Sequence, residues 1–115
     1  MTLLTNITDE ERKKFEEYVN KGTRNISIRN DRGRNAVKAG NEHMQHKDFE
    51  EAENSYNAAL RVLDTDQLDD IMEVYINIYH ALVRSSQNIR AGYVYDKAEA
   101  VFVMAGRMVK MEEGY

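Results

Sequence analysis

The chain has 115 residues, 42% of them hydrophobic and 31% charged, with a formal net charge of −4. That length favours one domain, and that composition excludes a wholly disordered chain, which would be poorer in apolar and aromatic residues. With no cysteine, no proline and only six glycines, a disulfide scaffold and a cysteine nucleophile are ruled out, and little interrupts helix formation.

The charge is unevenly placed. Residues 21–38 hold Lys21, Arg24, Arg29, Arg32, Arg34 and Lys38 against the single acid Asp31, a local +5. Residues 39–115 hold 7 basic and 14 acidic residues, a local −7. A basic arm on an acidic helical body is the expected arrangement. No apolar run reaches the roughly 18 residues of a membrane span, so no membrane partner is expected. The opening MTLLTNITDEERKKF turns acidic too early for a secretory signal, so a cytoplasmic location is expected.

In chain order, Thr8 with Glu11 forms a T-x-x-E capping box, with acids in the first turn. It predicts a helix to about Asn20 that carries Phe15, Tyr18 and Val19 on one face, with Gly22 ending it. Turn-forming residues over 22–33, with only Ile26 and Ile28 alternating, read as a loop or arm. A short helix follows from Arg34, and His46-Lys47-Asp48 make a turn. Phe49, Ala52, Tyr56, Ala59, Leu60 and Leu63 then recur at helical spacing. After Asp64-Thr65-Asp66, a third helix of this region places Leu68, Ile71, Met72, Tyr75, Ile78, Tyr79 and Leu82 on one stripe and runs to about Asn88. Beyond a connection at 88–92, the last helix shows Val94, Tyr95, Ala98, Val101, Phe102, Ala105, Met108 and Val109 at spacings of three and four.

Gly40-Asn41 followed by Asp48, Phe49, Ala52, Tyr56 and Ala59 resembles the tetratricopeptide repeat, a helix–turn–helix unit of about 34 residues. Small residues at Gly40 and Ala52 let two helices approach closely, and Phe49 and Tyr56 fill the space beside them. The chain departs from the family at Asp64, where a proline is usual, and at Ala36, where the family has a large residue. A second copy is read at Tyr95, Ala98, Phe102 and Ala105, with about seven more residues between Arg84 and Ala98 than the family spacing allows. The expected fold is therefore all-α, with tetratricopeptide-like stacked hairpins of about four core helices plus an N-terminal helix. Its divisions are a capping helix and basic arm over 1–33 and a helical domain over 34–115, with repeats at 34–64 and 66–111.

The resemblance implies a concave binding face lined by the first helix of each hairpin. Carried over, it comprises Arg34, Val37, Lys38, Asn41, Met44 and Gln45, then Glu73, Ile76, Asn77, His80, Val83 and Arg84. The function it implies is a non-enzymatic adaptor holding a protein or peptide partner. Two other readings stand beside it. The last helix, through Val101, Phe102, Met104 and Met108, is a candidate face for homo-oligomerisation, since uncapped repeat ends expose apolar surface. Lys21, Arg24, Arg29 and Arg32 are candidate nucleic-acid contacts, although no aromatic residues interleave with them for stacking. Glu42, His43, His46 and Asp48 lie close in sequence, but His43 falls at a packing position and His46 begins a turn, so no metal or other cofactor is expected. No catalytic set of nucleophile, base and orienting group is legible in the spacing.

Overall fold

The structure, a computed structural model, describes residues 6–22, 28–64 and 66–112. These residues form five helices and no strand, an all-α architecture. The helices are α1 (Asp9–Val19), α2 (Asp31–Gln45), α3 (Phe49–Val62), α4 (Leu68–Arg84) and α5 (Asn88–Glu112). Each packs on the next from α2 onward, and α1 returns to pack against α5.

Local chemistry sets the ends. Thr8 and Glu11 make both hydrogen bonds of the expected capping box, and Gly22 closes the exit from α1 with φ +92. The expected arm is shorter than 22–33, because Asn30 caps α2 by accepting the Gly33 N–H at 3.1 Å. The Asn30 amide also donates to the Val62 carbonyl at 3.1 Å, tying the start of α2 to the end of α3. Ile28, read from sequence as part of the arm, is 2% exposed and belongs to the core. Residues 88–92, expected to connect two helices, are the first turn of α5.

The two hairpins turn in the same way. At the first, the Lys47 N–H donates to Met44 O and the Asp48 N–H to His43 O, with Lys47 at φ 61. At the second, the Ser86 N–H donates to Val83 O and the Gln87 N–H to Leu82 O, with Ser86 at φ 63. Both are Schellman C-caps built on a left-handed residue other than glycine. The turns lie 39 positions apart (47 to 86), and that offset aligns Ala91 with Ala52, Tyr95 with Tyr56 and Ala98 with Ala59. The second copy read from sequence, which set Ala98 rather than Ala91 against Ala52, is therefore out of register. A shift of seven residues (91 to 98) is about two helical turns and preserves the face, so periodicity alone does not detect it. The interval from turn to alanine is equal in both hairpins (48 to 52, 87 to 91), so the seven extra residues counted between Arg84 and Ala98 reflect the shifted register and not a longer turn.

Helix α4 is sandwiched. Val74, Ile78, Ala81 and Leu82 join the core with Val37, Met44, Ala52 and Tyr56. Met72 and Ile76, on the opposite face, join Phe15, Val19 and Ala98. Val37 and Ile76 occupy matching positions in the two hairpins, one buried under α4 and the other under α1. Relative to the second hairpin, α1 thus stands where α4 stands relative to the first. It closes an array that two hairpins alone would leave with an open apolar face.

The first crossing depends on Gly40. A methyl group there would lie 2.6 Å from Cδ1 and 2.9 Å from Cζ of the Tyr56 ring, which is fully buried and unable to retreat. Gly106, exposed on α5, has nothing within 4 Å of the same added carbon. Gly40→Ala should destabilise the protein by about 1–3 kcal/mol through overpacking, despite alanine's better helix propensity. Gly106→Ala should stabilise it by about 0.5–1 kcal/mol. Urea unfolding monitored by circular dichroism distinguishes the signs.

Candidate functional site

The expected concave face divides into buried and exposed parts. Val37 and Met44 are 3% and 4% exposed and lie beneath α4, so they belong to the core rather than to a groove. Ile76 and Asn77 are fully buried, and Ile76 is covered by α1. The family resemblance implied these as the binding face of each first helix. It did not show that the next helix in the stack covers that face.

The N-terminal helix also takes the edge of α4. Glu73 accepts a hydrogen bond from the Tyr18 hydroxyl. His80 Nε2 lies 3.0 Å from the Val19 carbonyl; a carbonyl only accepts, so Nε2 is the protonated ring nitrogen. Asn41, expected to hold a partner's backbone, accepts the Tyr56 hydroxyl proton at 2.6 Å. Burial of that tyrosine pushes its pKa well above the ordinary phenol range.

What stays exposed on this side is Arg34, Lys38 and Gln45 along α2, and Arg84 at the end of α4. Arg34, Lys38, Asn41 and Gln45 follow at intervals of four, three and four, one helical face. Arg34 pairs with Asp31 and donates to the Ile28 carbonyl at 3.1 Å. The Arg84 guanidinium lies over the Phe49 ring, 5.0 Å from its centroid, which holds a charge on the surface between the two hairpins. Val83, next to it, is 40% exposed.

The proposed oligomer face is partly internal. Val101 and Phe102 pack on α1, with Phe102 centred 5.3 Å from Phe15 and 5.5 Å from Tyr18. Met104 is half-buried, and Met108 is exposed. These side chains looked unpartnered in sequence because nothing there reveals that α1 folds back across α5.

Of the nucleic-acid candidates, Lys21 and Arg32 are exposed, and Arg24 lies outside the described residues. Arg29 shares a cleft of about 390 Å³ with Asp66, Asp69 and Asp70. Burial raises the Asp70 pKa and the neighbouring Asp69 charge adds to it, while Arg29 opposes both. At this position the basic segment faces the protein's own acids. His46 is the C-cap of α2 and His43 is half-buried. Among the described residues, no group of three or more histidine, aspartate or glutamate side chains could hold a metal ion, and no helix is long and apolar enough to cross a membrane.

Comparison of the chain with protein-family models, with curated proteins and with solved structures finds no match in any of the three.

The start of α1 is fastened to α5 by charge. Arg107 donates to both carboxylate oxygens of Glu11, at 3.0 and 2.9 Å. These hydrogen bonds, with one from the Thr8 backbone, hold the Glu11 pKa near 2, down from 4.5. A carboxyl whose pKa falls on folding stabilises the folded state above its ordinary pKa and loses that contribution as pH drops toward its folded value. Between pH 5 and pH 2, the thermal midpoint of the native chain should therefore fall more steeply than that of Glu11→Gln. Melts followed by circular dichroism across that range would show the difference.

Proposed function

We propose that this chain is a non-catalytic interaction module that holds an acidic segment of a partner protein along the exposed α2–α4 face. The observation that carries the reading is the charge on that face. Arg34, Lys38 and Arg84 are exposed there beside neutral Gln45 and half-buried Asn41, on a chain whose formal charge is −4. Oppositely charged patches steer association and set register more than they add affinity. The two like-turned hairpins and the Gly40, Ala52, Tyr56 and Ala59 register support treating the fold as tetratricopeptide-like.

Lys38→Glu combined with Arg84→Glu changes only exposed side chains, so the variant should fold as the native chain does. Captured from host extracts by the native chain, acidic partners should be lost from this variant, with binding that also weakens as salt rises. Recovery of the same partners by both chains would contradict the reading.

A further inference from the structure

We propose that the cleft beyond the C-terminal end of α1 is a second docking site, taking a partner-protein segment that places one bulky apolar side chain beside a lysine or arginine. It is separate from the α2–α4 face and stands or falls without it.

The argument begins with the matched hairpins. Met44 and Val83 are equivalent under the 39-residue offset, yet Met44 is 4% exposed and Val83 is 40% exposed. The alanines beside them, Ala52 and Ala91, are both buried. The first hairpin is covered by α4, whose last turns contribute Ala81 and Leu82 to the shared core. The second is covered by α1, which stops at Val19. Among the described residues, the space a longer covering helix would fill is a cleft of about 690 Å³ with Val19, Tyr79, Val83, Ala91 and Tyr95 in its lining. That volume lies within the range of ligand-binding clefts, roughly 300–1,000 Å³.

Two further features point to an occupant from another protein. Ile89 and Tyr93 line the cleft while being 79% and 68% exposed, a concentration of large apolar side chains that costs solubility unless covered. Among the described residues lining it, the charged ones are Glu16 and Asp96, both acidic. The cleft also continues the α1 interface, sharing Val19 and Asn20 with the helix end. An incoming helical turn would therefore extend α1 along α4, seat its apolar side chain over Val83 and Ala91, and set a basic group against the two carboxylates.

Panning a library of random dodecapeptides on the full chain tests this directly. Enriched peptides should carry Leu, Ile, Phe or Trp within four residues of Lys or Arg. Their affinity should fall roughly tenfold or more on Val83→Asp, and similarly on Tyr93→Ala, which alters a side chain too exposed to support the fold. Asp96→Lys should remove the preference for basic peptides. The proposal is overturned if no peptide is enriched, if enriched peptides are acidic, or if neither Val83→Asp nor Tyr93→Ala changes binding. It is also overturned if light scattering finds a dimer that Val83→Asp dissociates, since a second copy would then be the occupant. A change in the Val83 methyl resonances on Ile26→Asp would instead assign the cleft to the chain's own 23–27 segment, and would overturn it too.

Discussion

The burial of Phe15 is the contact on which the arrangement depends. Its ring is fully buried, 5.0 Å from the Tyr95 centroid and 5.3 Å from that of Phe102, in a cluster that includes Ile76 and Met72. Full burial of such a side chain contributes roughly 1.5–3 kcal/mol, more than the exposed ion pairs on the same helix. The reason Tyr95 is available to receive it lies in a single difference between the hairpins. Where the first has Gly40, the second has Tyr79. The Tyr56 ring enters the first crossing and is sealed there, whereas Tyr95 packs against both Tyr79, at 5.2 Å, and Phe15 of α1. A glycine in one hairpin and a tyrosine in the other convert matched sequences into a closed crossing and a docking platform.

That platform finishes the array. One face of α4 packs on the first hairpin, which leaves its opposite face, with Met72 and Ile76, in need of a cover. Here α1 supplies it and presents Glu10, Lys13, Lys14 and Glu17 to solvent. At the other end, Asn35, Glu42, Glu50 and Asn54 are exposed on α2 and α3. The same docking consumes part of the face expected to bind partners, because Glu73, Ile76 and His80 now contact α1. What remains exposed is a cationic row on α2 and α4, and an apolar cleft where α1 ends short of α4.

Much of this was legible residue by residue. The Thr8–Glu11 box, the Gly40–Ala52–Tyr56 spacing and the helical character of 49–63 and 68–84 follow from local chemistry. The register of the second hairpin did not, since Ala91, Ala98 and Ala105 are spaced by sevens and share one face of α5. Asn30 was a readable cap hidden among turn formers. The candidate site suffered most, because Val37, Met44, Ile76 and Asn77 lie on the helix faces expected to line the groove. Whether such a face meets solvent or another helix is decided by where α4 and α1 are placed, which is long-range information. The charge contrast suggested a basic arm on an acidic body but not where the two meet, which Ile28 in the core and Arg29 beside three aspartates show.

Native-state hydrogen exchange on Phe15→Ala is the most direct test of α1 as the closing helix. Truncating a fully buried phenylalanine costs about 3–5 kcal/mol where the site cannot collapse. The account predicts that amides of α1 lose protection first and most, with those of α4 near Ile76 next, while amides around Ala52 and Tyr56 keep theirs. Undiminished protection in α1, or greater loss in the first hairpin than in α1, would contradict it.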